Sequence, residues 1–172
     1  MITLVTGGSK CGKSALAEKI AGNSEGRKYY IATMRPYGDE ALKAIERHRE
    51  MRAGGGFETI EKYTGLHEIN FTERCTVLLE CMGNLCANEM FREKIVNPVE
   101  KIVNAMKYLE KNSEKLIIVT NEVGADGITY TPETMAYIRY MAEINRNIAG
   151  FAENVIECVY GIPVVLKGEL NC

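Results

Sequence analysis

Short apolar runs and longer helical-period stretches alternate along this chain. Ile2-Thr3-Leu4-Val5-Thr6, Lys28-Tyr29-Tyr30-Ile31-Ala32-Thr33, Cys75-Thr76-Val77-Leu78-Leu79 and Lys115-Leu116-Ile117-Ile118-Val119-Thr120 are short and nearly continuous in apolar or β-branched residues. Runs of that kind suit parallel strands buried on both faces. Phe57-Glu58-Thr59-Ile60-Glu61 alternates as a strand does, and two further short strands are expected over 155–160 and 163–167. Between them lie stretches of period 3.6. Residues 13–21 read as a helix stopped at Gly22, and 40–52 as a helix capped by Asp39 with Ala41, Leu42 and Ile45 on one side. Residues 83–92 read as helical, and 66–71 as a helical turn or two. Asn97-Pro98 opens a helix carrying Val99, Ile102, Val103, Met106 and Leu109 on one stripe, and Thr131-Pro132 opens a long one to about residue 153.

Strands alternating with helices predict an α/β fold: a mostly parallel sheet with helices on both faces. We expect the single-domain, P-loop NTPase-like (RecA-like) version, spanning residues 1–172 without a linker or repeat. A chain of 172 residues should bury about 70% of its unfolded surface. In such folds ligands gather at the C-terminal ends of the strands.

Composition narrows the function. A net charge of −2 gives no electrostatic case for nucleic acid. No apolar run approaches the ~20 residues of a membrane span, and no signal peptide is apparent, so a cytoplasmic location is expected. Cysteines stand at 11, 75, 81, 86, 158 and 172 with no CxxC pair. Cys81 and Cys86 with nearby His67 can be argued as metal ligands, but the cysteines read better as small apolar side chains in a reducing compartment.

The first strand runs into Gly7-Gly8-Ser9-Lys10-Cys11-Gly12-Lys13-Ser14 and then a helix. This is the spacing of a phosphate-binding loop, in its required context of strand before and helix after. Glycines let successive N–H groups turn inward to phosphate oxygens, and the helix N-terminus adds unpaired donors. Lys13 can reach the β/γ-phosphates, and Ser14 Oγ can ligate Mg²⁺. Glu80, after Val77-Leu78-Leu79, stands where a carboxylate holds Mg²⁺ opposite such a loop, directly or through water. Glu122, after Val119-Thr120-Asn121, competes for the role.

His48 lies in the 40–52 helix among Lys43, Arg47, Arg49 and Arg52, with Glu46 and Glu50 able to pair with several of them. A lone helical histidine is more often solvated or core-satisfied than chemical; here the setting singles it out. Nearby cations disfavour the imidazolium, leaving a neutral nitrogen as nucleophile, and can hold the phosphate under attack. Gly54-Gly55-Gly56 just after would let the helix swing or simply stop it.

Ordered over most of the chain, several segments together resemble the bifunctional cobinamide kinase/cobinamide-phosphate guanylyltransferase family of cobalamin biosynthesis. They are Leu4-Val5-Thr6-Gly7-Gly8 into Gly12-Lys13-Ser14, Tyr30-Ile31-Ala32-Thr33, Ile45-Glu46-Arg47-His48-Arg49 with Arg52, Thr59 and Glu61, Leu78-Leu79-Glu80-Cys81, Asn88, Thr120-Asn121-Glu122-Val123-Gly124, and Gly161-Ile162-Pro163 with Leu166-Lys167. The resemblance implies phosphorylation of the aminopropanol hydroxyl of adenosylcobinamide by ATP or GTP. It then implies transfer of GMP from GTP through a guanylyl-histidine, His48 by motif, to give adenosyl-GDP-cobinamide. Nucleotide contacts would map onto Gly7, Gly8, Ser9, Lys10, Cys11, Gly12, Lys13 and Ser14, onto Ala32, Thr33 and Met34, onto Arg49, Glu50, Met51 and Arg52, and onto Glu61 and Glu80. It also implies a homo-oligomer, a trimer in that family. From the residues alone, a P-loop kinase for another small molecule and a nucleotide-gated regulatory domain stay open as alternatives.

Overall fold

The computed structural model describes residues 1–36, 38, 43, 46 and 54–170. His48, Arg49, Glu50, Met51 and Arg52, with most of the helix expected over 40–52, lie outside the described residues. The described elements run β1 (Ile2–Thr6), α1 (Lys13–Gly22), β2 (Lys28–Ala32), β3 (Phe57–Glu61), a 3₁₀ turn (Leu66–Glu68), β4 (Thr76–Leu79) and α2 (Met82–Ala87). A π-turn (Asn88–Arg92), α3 (Val99–Lys111), β5 (Lys115–Val119), α4 (Pro132–Phe151), β6 (Asn154–Val159) and β7 (Ile162–Lys167) follow.

Among the described residues, seven strands form one sheet in the order β3-β2-β4-β5-β1-β6-β7. Every neighbouring pair is parallel except β6 and β7, which form an antiparallel hairpin. Its turn is Tyr160-Gly161, with φ of 52° and 81°, the two positive angles that a twisted two-residue hairpin requires. The parallel strands place the ends of β1, β2, β4 and β5 on one rim. Register brings Val5 beside Val119 and Thr6 beside Glu157.

Alternation along the strands divides the core in two. Val5, Tyr30, Leu78, Ile117 and Ile156 face α1, whose buried Ala17, Ile20 and Ala21 let it lie close. Leu4, Ile31, Val77, Leu79, Leu116 and Ile118 face the other way, against Leu85 of α2, Met106 and Leu109 of α3, and Met141, Ile144 and Ile148 of α4. Each such buried aliphatic side chain contributes about 1.5–3 kcal/mol. Helices therefore cover both faces, as the runs of apolar residues imply, and the stripe of α3 is buried along its whole length.

Two details depart from the expected pattern. Helix α3 starts one residue later than expected: Pro98 occupies the cap position, and Asn97 Oδ1 accepts from Val99 N–H at 3.1 Å. The helical stretch after Gly83 widens into the π-turn, with Glu93 N–H donating to Asn88 O at 3.2 Å. That widening turns Glu89 inward, where its buried carboxylate accepts from Gly65 N–H at 3.1 Å and from Lys101 Nζ at 2.7 Å. A π-bulge is set by such tertiary partners, so periodicity does not announce it.

Candidate active site

The loop after β1 has the backbone that a phosphate cradle needs. Gly7, Lys10 and Gly12 take φ of 140°, 57° and 100°, and a Cβ at Gly7 would stand 2.5 Å from the Cys158 carbonyl oxygen. Glycine is required there by conformation and space together. The β6–β7 hairpin packs on this loop: Gly161 N–H donates to Cys11 O at 2.7 Å, and the Cys158 thiol donates to the same oxygen at 3.1 Å. Gly8, Ser9, Lys10 and Cys11 line an open cleft of about 320 Å³ with residues 157–160. Helix α1 follows with Gly12 at its cap and no side-chain capping bond, which suits its first N–H groups to an anion. Lys13 is only 6% exposed and donates from Nζ to Gly8 O at 2.5 Å, so its ammonium is folded back over the loop. Ser14 is half-buried in the first turn beside it.

On the neighbouring strand ends, Glu80 holds β2's exit. Its Oε2 accepts from Thr33 N–H at 3.1 Å and Met34 N–H at 3.4 Å, while Thr33 Oγ1 donates to Cys81 O at 2.8 Å. Asn88, on the π-turn, donates to both Thr33 O and Tyr63 O, at 2.9 and 3.1 Å. Thr33 is wholly buried and Glu80 nearly so. Ala32 O accepts from Lys62 N–H at 3.1 Å. Exposed Glu61 accepts from the Tyr63 hydroxyl at 3.2 Å, and the Arg35 guanidinium lies 4.9 Å from the centre of the Tyr63 ring. Burial raises the Cys81 thiol pKa; the Glu80 carboxylate raises it further and the Lys13 ammonium opposes.

β5 completes the rim. Thr120 N–H donates to Val5 O at 2.9 Å and Glu122 N–H to Gly7 O at 3.3 Å, so the polar loop after β5 lies against the start of the phosphate loop. Asn145 of α4 pins it: Thr120 Oγ1 donates to Asn145 Oδ1 at 2.6 Å, and Asn145 Nδ2 to Asn121 O at 3.2 Å. At Gly124, φ is 84° and a Cβ would stand 2.5 Å from Ile138 Cγ2, so the loop turns close under α4.

Of the residues singled out in the sequence, the structure brings together the loop from Gly7 to Ser14, Thr33 and Met34, Glu80 and Glu122. Glu61 stands at the C-terminal end of β3, beside Ala32 and three strands from β5. Sequence reasoning gave no structural part to Asn88, Asn145 or Cys158. Their polar groups act on backbone atoms far away in sequence, a pairing that spacing does not reveal.

With this geometry in view, residues 3–166 match the model of the cobinamide kinase / cobinamide phosphate guanyltransferase family. The bifunctional adenosylcobalamin biosynthesis protein CobU of Escherichia coli K12 is 32% identical, over 97% of this chain and 100% of that protein. CobU of Salmonella typhimurium LT2 is 28% identical with the same two coverages. CobP of Pseudomonas aeruginosa is 28% identical, over 98% of this chain and 99% of its own length.

Proposed function

This chain belongs to the cobinamide kinase / cobinamide phosphate guanyltransferase family, and we propose that it works both reactions around the one phosphate loop. It is a nucleotide-dependent kinase and guanylyltransferase of cobalamin biosynthesis. In the first reaction the aminopropanol hydroxyl of adenosylcobinamide takes the γ-phosphoryl group of ATP or GTP. In the second, His48 attacks the α-phosphorus of GTP, pyrophosphate leaves, and the guanylyl group passes to adenosylcobinamide phosphate. The supporting observation is the loop itself: its backbone curls through positive φ at Gly7, Lys10 and Gly12, and the buried Lys13 ammonium folds back over it.

Lys13 offsets the charge of the phosphates, and the turned-in N–H groups of residues 7–14 hold their oxygens. Ala32, Thr33 and Met34, locked by Glu80 and Asn88, form a rigid ledge for the nucleotide with Glu61 beside it. Arg49, Glu50, Met51 and Arg52 are assigned to the guanylyl step on sequence grounds. A hard dication fits the donors at hand, a hydroxyl at Ser14 and a carboxylate at Glu80, with phosphates and waters completing the shell. Mg²⁺ held there would supply charge neutralisation at the phosphates. The whole of residues 1–172 acts as one catalytic domain. No described helix is long and apolar enough to cross a membrane, and we assign the enzyme to the cytoplasm as a homo-oligomer, a trimer by family likeness.

A neutral imidazole splits one transfer between two bulky anions into two steps at one site. The experiment is incubation with GTP labelled at the α-phosphorus. The expected label is labile in acid and stable in base, as a phosphoramidate is, and is lost in His48→Asn but kept in His67→Asn. Label on His67, or acid-stable label, would leave a simple kinase as the better reading.

A further inference from the structure

A second cleft, of about 430 Å³, opens beside the phosphate loop on the β5 side. Glu122 and Asp126 give it an acidic lip beside Ala125, and Tyr130, Tyr137 and Ile138 form its wall. It meets the loop directly, because Glu122 N–H donates to Gly7 O at 3.3 Å. Apart from Glu122, which the sequence also offers as a metal ligand, the nucleotide contacts above use none of these side chains. We propose that this cleft is the acceptor site, holding the hydroxyl-bearing amide arm of the corrinoid, with the Glu122 carboxylate as general base for that hydroxyl.

The proposal rests on the kinase reading and extends it to a residue and a place. β5 pairs with β1 in register, Val119 beside Val5, so the residues just past β5 face the point where the chain begins to curl around phosphate. An acceptor seated there meets the phosphate chain without crossing the hairpin-side cleft. The charge is also suited. Two carboxylates beside a polyphosphate discourage a second nucleotide, whereas a corrinoid offers primary carboxamide N–H donors and a cationic metal centre. Asp126 stays anionic: hydrogen bonds from the Tyr130 hydroxyl and then from Ile128 N–H hold its carboxyl below the usual range. The aromatic and aliphatic wall suits the methylated edge of the ring. The cleft's volume takes an arm and an edge, leaving the macrocycle outside. The frame is rigid, since Asn145 pins the loop and Gly124 packs under Ile138. A positioned base needs such a frame. In the step itself the acceptor oxygen bonds to the γ-phosphorus and the bond from that phosphorus to the β-bridging oxygen breaks. The nucleoside diphosphate leaves with the electron pair, and the hydroxyl proton passes to Glu122 and then to water.

The test uses the full chain with ATP, GTP and cobinamide. Glu122→Gln should lower kcat for corrinoid phosphorylation by about 100-fold or more, the usual effect of losing a general base. Ala125→Trp, an exposed loop position, should raise the corrinoid KM about tenfold by filling the space of the arm. Enzyme labelling by α-labelled GTP without corrinoid reports on the nucleotide site and should persist in both variants. Loss of that label in Glu122→Gln would move Glu122 to the nucleotide or its metal and overturn the proposal. A wild type active on cobinamide, with both variants indifferent, refutes the cleft alone. A wild type that takes label but phosphorylates no cobinamide refutes the kinase reading and the cleft's occupant together.

Discussion

Removing the Glu80 side chain separates two tasks that one carboxylate is asked to perform. In Glu80→Ala, the N–H groups of Thr33 and Met34 lose the Oε2 acceptor at 3.1 and 3.4 Å. Thr33 is wholly buried, so water does not replace that bond, and an unsatisfied buried N–H costs about 1–3 kcal/mol. Met34 is half-exposed and loses less. With the space left behind, the total is about 2–4 kcal/mol. For a chain of this size each kcal/mol moves Tm by about 2–4 °C, so melting should fall by roughly 5–15 °C. Glu80→Gln keeps a carbonyl oxygen for both donors and loses the charge assistance, about 1 kcal/mol. If the carboxylate also serves Mg²⁺, the Gln variant will need more metal for both reactions while melting only a few degrees lower. Circular dichroism melting without nucleotide, paired with an Mg²⁺ titration of phosphoryl transfer, reads the two effects separately. An Ala variant melting with the wild type would refute the ledge argument. An unchanged titration in the Gln variant would take Glu80 out of the metal's shell.

Lys13→Ala should abolish GTP binding by calorimetry, and with it both activities, while circular dichroism keeps the native fold; a variant that binds and turns over normally refutes the phosphate-loop reading. Burial pushes the Cys75 thiol up to about 11 and the Cys86 thiol up to about 12, with Glu73 and Glu89 adding to each. Both should resist iodoacetamide at pH 8 in the native protein and react in urea, as mass spectrometry of the labelled peptides would show. Because these values lie above that of an exposed thiol, 9.0, the folded state holds the two protons longer than the unfolded one. Their contribution to stability is complete below about pH 9 and declines as pH rises toward 11 and 12. A flat urea-stability profile across that window would contradict it.

The phosphate loop was legible from residues 7–14 because its chemistry is local. Glycine, lysine and serine act at fixed spacing between a strand and a helix, and the backbone angles at Gly7 and Gly12 follow that need. The strands were legible for a similar reason: residues buried on both faces must be apolar almost throughout, as in Leu116-Ile117-Ile118-Val119. The placement of Thr33 against Glu80 was not. Nor was the grip of Asn88 on two backbone carbonyls through a π-turn, or the seat of the hairpin on the loop.

The sequence by itself determined the class of chemistry and the elements that carry it, since motif spacing and side-chain period depend on near neighbours along the chain. The tertiary structure decided which strand ends meet. The order β4-β5-β1-β6 brings Glu80, Glu122 and Cys158 to the rim that carries the phosphate loop, from positions 67, 109 and 145 residues beyond Lys13 along the chain. Strand order follows from which faces bury best together, a property of the whole fold that a local pattern of residues does not encode.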